Sequence, residues 1–153
     1  MKTSQLINEF LQTKNIAVAG VSRNPQGGVG NFIYKKFKQS GYNVFQINPN
    51  AGTIEGDICY CDLKSIPQKI DSVFIATNPE QSLAVVTQCI ENGVSKIWFH
   101  RAFGNGSYSK EAEDFCRQNN IIPITYGCPV MHLQPVDFGH KCIKFFMKLS
   151  GKI

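Results

Sequence analysis

No stretch of the 153-residue chain approaches the ~20 consecutive apolar residues that a membrane span needs. The first fifteen residues, MKTSQLINEFLQTKN, alternate polar and apolar positions and lack the continuous apolar core of a secretory signal, so the expectation is a cytoplasmic protein. Neither sign of charge forms a block. The 16 Lys and Arg against 11 Asp and Glu give a net charge of +5, which favours anionic ligands, but their scatter marks no nucleic-acid-binding arm. Internal repeats and low-complexity linkers are also missing. Six cysteines are present, yet without a secretion signal a disulfide framework has no support, and they read as free thiols. Cys59 and Cys61 form a CxC pair with no second pair or nearby histidine to complete a tetrahedral site. Two small residues on a strand and its exit are preferred to a zinc site.

What is there is ordinary globular material, 42% hydrophobic and 18% charged, in a chain long enough to bury roughly 70% of its unfolded surface as one domain. Short, nearly continuous apolar runs at Ile16 to Ala19, Val44 to Ile47, Val73 to Ala76, Ile97 to Phe99 and Ile121 to Ile124 have the character of parallel strands covered on both faces. Helical spacing lies between them. Phe32, Ile33 and Phe37 precede a stop at Gly41; Pro79, Leu83, Val86 and Ile90 precede a stop at Gly93; Ser109 to Asn119 is a third helix. A leading helix at about Ser4 to Gln12 and a last one from about Val136 to Leu149 complete the pattern. Strands alternating with helices predict the α/β class: a doubly wound parallel sheet in a Rossmann-like three-layer sandwich.

The first strand runs into GVSRNPQGGVG, residues 20–30, and then into the first crossover helix. In such a sheet this turn is where a pyrophosphate is held. Gly20 permits the tight exit, Gly28 and Gly30 allow backbone N–H groups near phosphate oxygens at the positive end of the helix, Ser22 adds a hydroxyl and Arg23 a bidentate clamp. The glycine spacing is longer than G-x-G-x-x-G, and the second strand ends in Asn48 and Pro49 where a ribose-binding Asp or Glu would sit, so NAD loses support.

AVAGVSRNP at 17–25, YNVFQINPN at 42–50, IDSVFIATNPE at 70–80, KIWFHRAFGN at 96–105 and the Cys-Pro at 128–129 occur in the order and spacing of a known family. Over about residues 10 to 130 the chain resembles the small stand-alone CoA-binding proteins, whose fold matches the CoA-binding domain of the succinyl-CoA synthetase alpha subunit. The resemblance implies coenzyme A with its pyrophosphate over the first loop, its adenosine end near the second-strand exit and its pantetheine arm across the exits of later strands. By matching positions it implies a cofactor-binding set of Gly20, Ser22, Arg23, Gly28, Gly30, Asn48, Pro49, Thr77, Asn78 and Pro79. It makes the chain one CoA-binding domain over residues 1–153, with 131–153 a C-terminal helical extension.

The sequence departs from that family twice. No Lys or Arg follows Asn48-Pro49 to meet a 3′-phosphate; Glu55 and Asp57 stand there instead, leaving Arg23 or Lys64 for that task. After Trp98, where relatives run Gln-x-Gly, the chain has His100, Arg101, Ala102, Phe103 and Gly104. His100 beside Arg101 reads as a loop-bonding histidine in preference to an acid/base pair, since no carboxylate or nucleophile stands at a recognisable spacing. Cys128 reads as packed in preference to reactive. The last segment puts Phe138, Cys142, Phe145, Phe146 and Leu149 on one face and Lys141, Lys144 and Lys148 towards the other, which reads as core packing, with a membrane-surface or homodimer contact left open. The functional expectation is a non-catalytic protein that binds coenzyme A or an acyl-CoA and no metal. An NAD(P)-dependent oxidoreductase and a nucleotide-responsive interaction module are the alternatives.

Overall fold

The computed structural model describes residues 2–24, 26, 28–101, 104–133 and 149. In chain order the elements are α1 (Thr3–Leu11), β1 (Asn15–Ala19), α2 (Val29–Gln39), β2 (Asn43–Ile47), β3 (Thr53–Ile54), β4 (Asp57–Tyr60), β5 (Ser72–Ile75), α3 (Pro79–Glu91), β6 (Lys96–Phe99) and α4 (Lys110–Gln118), followed by a 3-10 turn at Pro129–Met131. The six strands form one sheet in the order β3-β4-β2-β1-β5-β6, with every pairing parallel except β3 to β4.

The near-continuous apolar strands follow from burial on both sides. Along β1, Ile16 and Val18 enter one apolar cluster and Ala17 and Ala19 the other. The first cluster takes Ile7 and Phe10 of α1, Ile33 and Phe37 of α2, and Trp98; the second takes Val85, Val86 and Cys89 of α3 with Ala112 and Cys116 of α4. Alternate side chains of a strand point to opposite faces, so the two sets of helices cover opposite faces and the three layers result. The helix punctuation is as the residue types require. Pro79 lies in the first turn of α3, Ser109 caps α4 by accepting the Ala112 N–H, and Gly41 and Gly93 take positive φ just past α2 and α3.

Two segments differ from expectation. Ile121 to Ile124 forms only an isolated parallel bridge, Trp98 to Ile124, because Pro123 has no N–H to extend a ladder. A β3–β4 hairpin edges the sheet where no strand pair was expected, though Cys59 does lie on a strand and Cys61 just past it. Its turn residues Glu55 and Gly56 have φ of 52° and 84°. Apart from Leu149, the expected helix from Val136 to Leu149 falls outside the described residues.

Candidate functional site

Strand register sets the site. Ala19 is opposite Ile47 and Ile75, and Ile75 is opposite Phe99, so the residues that follow, Gly20, Asn48, Ala76 and His100, line one carboxyl edge. The chain winds from β1 to β2 in one direction and returns to add β5 on the other side of β1, which makes the β1–β5 boundary the topological switch point. Gly20 fits that boundary for two reasons. Its φ is +94°, and a Cβ there would stand 2.6 Å from both the Ala76 carbonyl carbon and the Thr77 nitrogen.

The loop beyond Gly20 is held by a residue that sequence reasoning missed. Asn31, 2% exposed on α2, accepts the Ser22 N–H through Oδ1 at 2.7 Å and donates through Nδ2 to the Ser22 carbonyl at 2.9 Å. An asparagine inside an amphipathic helix reads as a surface position, and only the folded loop shows its two backbone partners. Gly28, the residue capping α2, has its Cβ position 2.4 Å from Asn31 Oδ1. Gly30 serves a different purpose from the one its place in the motif implies. It is buried, and a Cβ there would stand 2.5 Å from the Gly20 carbonyl oxygen, so this glycine seats the helix against the loop. The first-turn N–H groups of α2 have no partner within the helix, and that turn contains no acidic residue of its own; the Glu55 carboxylate meets it only through the Asn31 side chain. Ser22 Oγ accepts the Asn24 N–H at 3.1 Å and keeps its own proton for another acceptor; Arg23 is exposed on the same loop.

At the β2 exit Asn48 works for the scaffold. Its Nδ2 donates to the Val21 carbonyl at 2.8 Å and its Oδ1 accepts the Asn50 N–H at 2.8 Å, with Pro49 exposed between them. At the β5 exit Thr77, Asn78 and Pro79 lead into α3. Ser82 Oγ donates to the Ser107 carbonyl at 2.6 Å and lies 3.2 Å from Thr77 Oγ1. With the single Ser82 proton so placed, Thr77 is the donor to Ser82, and Oγ1 keeps its lone pairs as acceptors. Ser107, 1% exposed, donates through Oγ to the Ile75 carbonyl at 2.6 Å and so ties the loop after β6 to β5. The side chain of Asn78 makes no capping bond.

The two acidic residues that follow Pro49 are turned away from this edge by the hairpin. Glu55 pairs with Lys35 and accepts from Asn31 at 3.3 Å; Asp57 pairs with Lys38 at 2.6 Å and accepts the Tyr34 hydroxyl at 2.9 Å. The Lys35 and Lys38 hydrogen bonds hold both carboxyls below their ordinary range, while burial, then the bond to Asp57, pushes the Tyr34 phenol up. Lys64 lines a hollow with Asp62, Gln88, Glu91 and Asn92 against the last turns of α3, the end of that helix remote from Pro79.

At the β6 exit, His100 packs its ring 6.1 Å from that of Phe74, and its buried Nδ1 has no hydrogen-bond partner among the described residues; burial lowers the imidazole pKa and keeps it neutral near pH 7. Arg101 is no acid/base partner for it. The guanidinium lies 4.2 Å from the Tyr108 ring centroid and 4.5 Å from that of Tyr126, and Nε donates to the Gly104 carbonyl at 3.2 Å. Cys128, 4% exposed, is packed in the first apolar cluster. Of the ten residues predicted from the sequence, the fold gathers all along one edge, but Gly30 and Asn48 act there through the scaffold.

The sheet order, with its switch point between β1 and β5, defines a Rossmann-like α/β protein. Residues 14–134 match the model of a CoA binding domain family, and the chain belongs to that family. It is 30% identical over 90 residues to the ADP-forming acetate–CoA ligase II of Archaeoglobus fulgidus, an overlap of 58% of this chain and only 13% of the ligase. A conserved hypothetical protein from Pyrococcus furiosus superposes with a TM-score of 0.67 at 30% identity, over 76% of this chain and 96% of that one. A hypothetical protein from Pyrococcus horikoshii superposes with a TM-score of 0.73 at 26% identity, over 84% and 87%.

Proposed function

We propose that this protein binds coenzyme A or an acyl-CoA along the carboxyl edge of the sheet, with the pyrophosphate over the β1–α2 loop, and that it does so as a binding protein without turnover. The observation that carries the reading is the junction at the switch point, where Gly20 meets the Ala76–Thr77 backbone and Asn31 fixes Ser22 beside the start of α2. An anion at a helix N-terminus meets free N–H donors and the positive end of the dipole together. The Ser22 hydroxyl and Arg23 add donors on one side, and Thr77 Oγ1 offers an acceptor on the other.

Ligand choice follows from what the β2 exit offers. Both ends of the Asn48 amide are used by backbone groups, and the carboxylates nearest in sequence are held by Lys35, Lys38 and Tyr34, so a ribose diol finds no carboxylate of the kind a dinucleotide site uses. Membership in the CoA binding domain family supports the same choice. The A. fulgidus ligase is an enzyme, but this chain overlaps only 13% of it, and the share it matches is read here as the part that holds CoA. With Lys64 against the far turns of α3, Arg23 is the cation on the loop itself for the 3′-phosphate.

Thermal melting with CoA, dephospho-CoA, NAD and ATP at equal concentrations tests this. CoA at 100 times its dissociation constant stabilises the fold by ~2.7 kcal/mol, a clear rise in melting temperature, and dephospho-CoA a little less. A larger shift with NAD than with CoA would sink the assignment.

A further inference from the structure

The β6 exit carries two polar groups that the phosphate-binding argument does not use. Arg101 is half-buried, with an aromatic ring against it on each of two sides and its Nε committed to Gly104. It pairs with no carboxylate among the described residues; Glu113, which Tyr108 contacts, is engaged by Arg117. What remains of the guanidinium is its pair of Nη groups, fixed in direction by the rings. On the preceding residue, the buried Nδ1 of His100 is also without a partner among the described residues. A half-buried cation held between rings, with its fork unfilled among the described residues, is preorganised for a planar anion, and a carboxylate matches the fork bidentately.

From these observations we infer that Arg101 is a specificity-determining residue for an acyl-CoA whose acyl group ends in a carboxylate. The inference rests on the CoA reading above. With the pyrophosphate over the β1–α2 loop, an arm leaving across β5 meets the β6 exit after two strand spacings, about 10 Å, which is within the length of a pantetheine arm, so the group it carries can be brought to Arg101. The two tyrosines bring the site together from separate loops, which the antiparallel bridge of Arg101 to Gly127 holds in place.

The test is calorimetric titration of the full chain with CoA, butyryl-CoA and succinyl-CoA, thioesters of equal acyl length with and without the carboxylate. Wild-type protein is expected to bind succinyl-CoA about tenfold or more tighter than butyryl-CoA, the scale of one charge-assisted bidentate contact. In Arg101→Gln the ratio falls to about one, and Arg101→Lys, which keeps the charge without the fork, recovers only part of it. Equal wild-type affinities for the two thioesters overturn the inference without recourse to any variant, as does a ratio that survives in Arg101→Gln. If Arg101→Gln instead weakens CoA itself but not dephospho-CoA, the fork belongs to the 3′-phosphate and the carboxylate assignment fails. Absence of binding by all three compounds overturns the CoA reading and this subsite together.

Discussion

Gly28 and Gly30 stand two positions apart in the same motif and separate cleanly in what they do. A valine at 30 drives its Cβ into the Gly20 carbonyl, which is backbone in the centre of the fold and cannot retreat, so Gly30→Val is expected to lower stability by about 1–3 kcal/mol, read as a fall in denaturation midpoint. A valine at 28 meets the Asn31 side chain instead, which can swing away but then releases Ser22. Gly28→Val therefore loses CoA affinity in calorimetry with the smaller loss of stability. Asn31→Ala does both, because it leaves a part-buried Ser22 N–H and C=O without their Asn31 partners, at about 1 kcal/mol each. Full CoA affinity in both Gly28→Val and Asn31→Ala would show that the loop does not touch the ligand.

Among the elements, the β3–β4 hairpin is the one whose attachment depends on charge. It is received by Gln46, 1% exposed, which donates to the Ile54 and Asp57 carbonyls, and it is fastened to α2 by the Lys35–Glu55 and Lys38–Asp57 pairs. Both carboxyls titrate below their ordinary values of 4.5 and 3.8, so this fastening is complete above those values and is lost as the pH falls through the lowered folded ones. Hydrogen-exchange protection of Thr53 to Tyr60 is expected to be higher at pH 6 than at a pH below 3.8, weakening ahead of β1 and β5; protection that falls in step with the central strands would contradict this. The hairpin is also where the sequence was least legible. A two-residue strand gives no periodicity, and Glu-Gly is a weaker turn signal than Asn-Gly or Asp-Gly. By contrast β1, β2, β5 and β6 were readable because strands buried on both faces must be nearly continuous in apolar character, and α2, α3 and α4 because glycine, proline and serine marked their ends. Of the site, the loop glycines and strand exits were visible, since topology alone puts them on one edge. The Asn31 clamp and the two rings around Arg101 were not, because each joins residues that only the completed fold brings together.

For the whole molecule, the order β3-β4-β2-β1-β5-β6 does more than align the strand exits. β1 is the first strand made and one of the two central ones, with β2 on one side and β5 on the other. During synthesis it can zip to β2 early, but its other edge stays open until Ser72 to Ile75 have emerged, and an unpaired apolar edge is a template for pairing with another chain. The same winding that creates the switch point thus leaves the nascent chain adhesive for the interval between β2 and β5. A fragment ending at residue 70 is expected to sediment as aggregate, whereas the full chain stays in the supernatant, and a fragment that remained soluble with a cooperative melt would show that β1 needs only one neighbour.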